Sequence, residues 1–153
     1  MTITINGKAT EVLDALVEMN LLLFLREELR LTGAKIGCGK GFCGTCTILI
    51  DNKPVKSCQK KVLDVADKWI TTIEGMAEPD GTLHPLQQAF IDAGAIQCGY
   101  CTPGMVLIGH AFLLKNPSPS RNDIRKAISP NLCRCTGYQQ IIDAVEAAVG
   151  CYK

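Results

Sequence analysis

Eight of the nine cysteines fall into two sets of four, and no other feature restricts the fold so strongly. Cys38, Cys43, Cys46 and Cys58 follow the spacing C-x4-C-x2-C-x11-C, and Cys98, Cys101, Cys133 and Cys135 follow C-x2-C-x31-C-x-C. Cys151 is left over near the C-terminus. The N-terminus, MTITINGK, has no basic region followed by an apolar one, so no signal peptide is read and the expected compartment is the cytoplasm. Disulfides are rare there, and clustered cysteines point to metal or redox chemistry.

The first set opens with "CGKGFCGTC", three cysteines interleaved with glycines. C-x4-C-x2-C is the plant-type spacing for a [2Fe–2S] cluster. Gly37, Gly39, Gly41 and Gly44 let a backbone bend around such a cluster, with positive φ where needed. Cys58 would then reach in from the following hairpin. The second set is less diagnostic: spacing alone leaves zinc on four thiolates and another [2Fe–2S] nearly even. A Rieske centre needs two histidine ligands, and His84 and His110 do not stand beside cysteines. Cys98-Gly99-Tyr100-Cys101 lacks the βαβ surroundings of a thioredoxin-like motif.

Local patterns organise the chain around these sets. Asn6-Gly7 between alternating runs predicts a hairpin. Leu21, Phe24, Leu25 and Leu29 predict a helix capped by Asn20, while 14–19 reads equally as loop or helix. Thr47–Ile50 reads as a strand, 51–54 as a turn, Val55–Cys58 as a returning strand and Trp69–Glu74 as another. Turn-rich 77–82 marks a boundary, giving expected domains 1–76 and 77–153. Beyond it the period becomes helical. One helix follows His84 and ends at Gly94, and a second is opened by Pro103 and runs to about Lys115. A third begins at a Ser120/Asp123 capping box and runs to Ile128, and a fourth spans Tyr138–Val149. The expected fold class is α+β, with a small helical bundle second.

Composition excludes several functions. Hydrophobic residues make up 47% and charged residues 20%, enough for a true core. A net charge of +1 and 5% aromatic residues give no footprint for nucleic acid. No apolar run is long enough to span a bilayer. No nucleophile–base pair or dinucleotide fingerprint is present. His84 and His110 read as ordinary packing or surface residues, Arg134 as solvated or near a cofactor edge, and Cys151 as a free thiol in a mobile tail. Phe42 and Tyr100 read as packing aromatics or cluster shields.

The wording around the cysteines goes further than their spacing. "GCGKGFCGTCTILIDNKPVKSC", "GAIQCGYCTPGM" and "NLCRCTGYQQII" resemble, in order and over nearly the whole chain, the iron–sulfur chain of the molybdenum hydroxylases. That is the family of xanthine dehydrogenase, aldehyde oxidoreductase and carbon monoxide dehydrogenase. The resemblance implies a β-grasp, ferredoxin-like domain with one [2Fe–2S] on Cys38, Cys43, Cys46 and Cys58, followed by a four-helix bundle. The bundle would carry a second [2Fe–2S] on Cys98, Cys101, Cys133 and Cys135. It also implies contact between Gln97 and Cys135 and a molybdopterin held by a large catalytic subunit, with a flavin subunit as the usual onward partner.

Two positions depart from the family wording: Ser129-Pro130-Asn131 precedes the C-x-C pair, and Gln139-Gln140 follows Tyr138. Proline has no N–H, so residue 130 cannot donate to a cofactor. The resemblance makes the chain an electron-transfer subunit with no substrate chemistry of its own. The rival expectations are a stand-alone ferredoxin and a zinc-stapled interaction module.

Overall fold

The computed structural model describes residues 1–153. β1 (Thr2–Ile5) and β2 (Lys8–Glu11) form the expected hairpin, with Asn6 and Gly7 both at positive φ. That left-handed pair matches the twist of the strands it joins. β3 (Thr47–Ile50) and β4 (Lys53–Lys56) form a second hairpin. β5 (Trp69–Thr71) lies between the hairpins, in the order β2-β1-β5-β3-β4. β5 runs parallel to β1 and antiparallel to β3.

Four elements differ in extent from the sequence expectation. The turn between β3 and β4 is only Asp51-Asn52, both left-handed, so pairing resumes at Lys53. Pro54 is tolerated because β4 is an edge strand. The returning strand stops at Lys56, and Cys58 sits instead in a 3-10 turn, Ser57–Gln59. Trp69–Glu74 is a strand only to Thr71, because the Asn6 side chain accepts the Thr72 N–H and ends the pairing. The first helix, α1 (Leu21–Leu23), widens at once into a π-turn over Phe24–Glu28, with the Leu29 N–H donating to the Phe24 carbonyl. Asn20 caps it as expected, accepting from Leu22 N–H at 3.0 Å. The undecided stretch contains a short 3-10 turn, Asp14–Leu16.

Four longer helices follow: α2 (Pro85–Asp92), α3 (Thr102–Lys115), α4 (Arg121–Ile128) and α5 (Gln139–Ala147). Ser120 and Asp123 form the expected capping box. Tyr138 precedes α5 in the left-handed region rather than belonging to it. The C-terminal tail is not loose. Val149–Tyr152 forms a 3-10 turn, and the Tyr152 hydroxyl meets His110 Nδ1 at 2.6 Å, with the His84 ring packed edge-on to His110. Cys151 is a free, exposed thiol within that anchored turn. His84 also has a local task the sequence did not reveal: its Nδ1 caps α2 by accepting the Leu86 N–H.

Two hydrophobic cores result. One gathers Ile3, Ile5, Leu21, Phe24, Leu25, Ile48 and Ile70. The other gathers the inner faces of α2 to α5 together with Leu49 and Met76. β3 divides them. Successive strand side chains point to opposite faces, so Ile48 joins the first core and Leu49 the second. α3 lies on that second face and is apolar nearly all round, with Gly104–Gly109 all buried. No helix is long and apolar enough to cross a membrane.

Candidate metal centres

The nine-residue loop Cys38–Cys46 leads directly into β3, and the following hairpin returns the chain to Cys58. Three backbone N–H groups, from Lys40, Phe42 and Cys43, donate to Cys38 Sγ at 3.4, 3.2 and 3.4 Å. The Cys38 N–H donates to Cys43 Sγ at 3.3 Å. These donors, that of Cys43 first, pull the exposed Cys38 thiol down to about 6. Cys46 is buried, which pushes its thiol up to about 11, and it lies beside Cys58. Ser57, fully buried, donates its hydroxyl to the Cys46 carbonyl at 2.7 Å. The Gln59 amide reaches Cys58 Sγ at 3.5 Å.

Gly37 is required here for close approach: a Cβ on it would stand 2.6 Å from Cys43 Sγ. Gly44 is required for conformation and space, since φ is +71° and a Cβ would stand 2.8 Å from the Pro130 carbonyl oxygen. Gly39 and Gly41 also sit at positive φ, as the loop reading expects.

The second set is assembled from two segments. Cys98 and Cys101 flank the turn into α3, and Cys133 and Cys135 lie between α4 and α5. Cys135 Sγ meets Cys98 Sγ at 3.5 Å, and this contact holds the Cys135 thiol above its ordinary value. Cys101 lies beside Cys133, and burial pushes its thiol up to about 12. For Cys133, burial acts upward but is outweighed by the Thr136 hydroxyl and N–H, at 3.1 and 3.4 Å, so its thiol falls below the usual range. Tyr138 completes the turn: its hydroxyl accepts the Cys133 N–H at 3.0 Å, and its own N–H donates to Thr136 Oγ1 at 3.2 Å.

Each set therefore presents two close sulfur pairs: Cys38 with Cys43 and Cys46 with Cys58, then Cys98 with Cys135 and Cys101 with Cys133. No three His, Cys, Asp or Glu side chains are arranged around a single-ion site. Paired thiolates are the donor set a binuclear iron–sulfur centre uses, one pair for each iron. The residues thus fit two such groups.

The two ligand regions touch. The Leu132 N–H donates to the Cys43 carbonyl at 2.8 Å, so a cysteine of one set is bonded to the residue preceding Cys133 of the other. The buried Asn131 side chain packs beside Gly44 and accepts from Thr47 Oγ1 at 3.2 Å. Tyr100 donates its hydroxyl to the Ile36 carbonyl at 2.7 Å. Gln97 is exposed immediately before Cys98, and Arg134 is exposed between Cys133 and Cys135. Cys38, Cys98 and Cys135 are exposed, as are the apolar residues Ile36, Phe42, Tyr100 and Leu132. Sequence reasoning missed Ser57, Thr136 and the Tyr138 hydroxyl. Their adjacency to cysteines was the available signal. Asn131 carried none, because its partners come from the other half of the chain.

Comparison with known proteins gives a consistent picture. Residues 2–91 match a family described as a 2Fe-2S iron-sulfur cluster binding domain, and residues 72–146 match one described as a [2Fe-2S] binding domain. The chain is 46% identical to the small FeS subunit of nicotinate dehydrogenase from Eubacterium barkeri, over 97% of this chain and 94% of that one. Its structure superposes on the aldehyde oxidoreductase of Desulfovibrio desulfuricans with a TM-score of 0.92 and 45% identity, covering 98% of this chain and 17% of that one. Against quinoline 2-oxidoreductase from Pseudomonas putida the TM-score is 0.90 at 42% identity, covering 99% and 94%.

Proposed function

The chain belongs to the iron–sulfur small subunits of the molybdenum hydroxylases, and on that premise we propose a two-centre electron relay for a larger catalytic partner. Cys38, Cys43, Cys46 and Cys58 hold one [2Fe–2S] group, and Cys98, Cys101, Cys133 and Cys135 the other. Each group, when bound, supplies a one-electron redox site. The ferredoxin-like unit spans 1–76 and the helical unit 77–153. Thiolate ligands require a reducing compartment, and the cytoplasm meets that need.

The hydrogen bond from Leu132 N–H to the Cys43 carbonyl carries this reading. A diffusible carrier with one centre needs no such joint. Here β3, α3 and Asn131 hold the two ligand loops in one fixed register. The chain's own contribution is spacing and tuning: Thr136 and the loop N–H groups stabilise charged sulfur, while burial of Cys46 and Cys101 limits water.

The exposed rim around Cys98 and Cys135 is the surface that receives the large catalytic subunit. Gln97 and Cys135 face its molybdopterin, and a flavin subunit or external acceptor lies beyond the first set. Leu83, Ile91 and Ile96 are 37%, 51% and 40% exposed around a cleft of about 290 Å³ on the helical half. An apolar surface of that kind suits a permanent subunit contact.

The test is metal and labile sulfide analysis of the protein purified with whatever accompanies it. About four iron and four sulfide per chain are expected for two centres, with molybdenum in a larger partner. Zinc without sulfide would overturn the reading, and iron without a partner would leave a free carrier. Gln97→Ala is expected to keep both centres but weaken retention of the pterin-bearing subunit. Unchanged retention and turnover would remove Gln97 from the interface.

A further inference from the structure

Lys56 lies at the end of β4, paired across the hairpin with Thr47 and two residues before Cys58. It is half-buried, and its ammonium turns back over the cysteine loop. Lys56 Nζ donates to the Gly41 carbonyl at 2.7 Å and approaches the Phe42 carbonyl at 3.4 Å. These oxygens belong to particular peptide groups. The peptide joining Gly41 to Phe42 presents its N–H to Cys38 Sγ at 3.2 Å, and the peptide joining Phe42 to Cys43 does so at 3.4 Å. Each of the two units therefore has a cation at its oxygen end and a cysteine sulfur at its hydrogen end.

We propose that Lys56 is a positioning residue that raises the reduction potential of the N-terminal centre by polarising these two peptide groups toward Cys38. The inference rests on the reading of Cys38 as a cluster ligand. Hydrogen bonds chained through a peptide strengthen one another, and a charged donor at one end strengthens the far bond most. Reduction adds one negative charge to the centre. Stronger N–H donation to its sulfur, together with a nearby cation, favours the reduced form. In the second set the cysteine sulfurs have Thr136 and each other as partners, and the charge-relay arrangement is absent. Lys56 thus biases electrons toward the sheet side of the molecule, away from the helical set.

The experiment is a redox titration of the intact complex, followed by electron paramagnetic resonance, on Lys56→Gln and Lys56→Arg. Glutamine keeps an N–H donor without charge, and arginine keeps the charge. Lys56→Gln is expected to lower the midpoint of the N-terminal centre by about a tenfold change in electron partition, about 59 mV for one electron. Lys56→Arg is expected to hold it near the wild-type value, and the helical centre should not move in either variant. An unchanged midpoint in Lys56→Gln, or equal shifts in both variants, would overturn the proposal while the centres themselves persist. Absence of both iron–sulfur signals from the wild-type complex would instead defeat the ligand reading on which it rests.

Discussion

The two cysteine sets bring their sulfurs into close pairs by different means. In the first, three of four cysteines lie within nine residues, and the loop's own backbone supplies three N–H groups to one sulfur. In the second, the pairs are separated by 31 residues, and α3 and α4 lie between them. The donors differ in part: Cys38 Sγ takes three backbone amides of its own loop, whereas Cys133 Sγ takes one backbone amide and the hydroxyl of Thr136. A glycine-rich loop can wrap a group almost alone. A site built from helix ends depends on the tertiary packing that holds those ends together.

The largest expected effect separates the two sets completely. Cys43→Ser should abolish the N-terminal centre's paramagnetic signal and onward electron transfer, while the helical centre's signal remains. Two unchanged signals would show that the ligand assignment is wrong.

Next is the joint. Gly44→Ala forces a left-handed φ on a residue with a side chain, against the Pro130 carbonyl and Asn131. A loss of about 1–3 kcal/mol is expected from such backbone strain, read as a lower urea midpoint. Both centres should respond, since the joint serves both. An effect confined to the first centre would show that the two regions are less interdependent than the Leu132–Cys43 bond implies.

The smallest effect belongs to the helical half. Burial, then the neighbouring His84, holds His110 down to about 4, against 6.5 for a free histidine. His84 is also held low by burial, with Glu78 opposing. Tyr152, the other group facing His110, stays neutral because burial raises its hydroxyl pKa. Between about 4 and 6.5 the unfolded chain binds more protons than the folded one. Stability is therefore full above the upper value and declines as pH falls through that window. The site is partly solvated, so the change is modest. Thermal melts across this range should show a flatter profile for His110→Gln than for wild type. Equal slopes would remove His110 from the account.

Much of this was legible from local chemistry. Asn6-Gly7 specified its hairpin because only a left-handed pair closes two residues between twisted strands. Asn20 and Ser120 specified helix starts because their side chains satisfy backbone N–H groups within three residues. The cysteine spacings, with the wording around them, identified the family and the chemistry. Errors arose where distant partners ruled. β5 stops at Thr71 because Asn6, 66 residues away, takes the next N–H. The tail around Cys151 is anchored because Tyr152 finds His110, 42 residues away.

By itself, then, the sequence determined the family, the Asn6-Gly7 hairpin and the starts of the helices at Asn20 and Ser120, since each of these local features depends on neighbours a few bonds apart. Tertiary structure alone decided that Cys43 meets Leu132, that Asn131 lodges beside Gly44, and that Lys56 reaches the peptides behind Cys38. Those contacts join residues remote along the chain. They depend on β3, which packs one face on each core and so holds the two halves of the chain together.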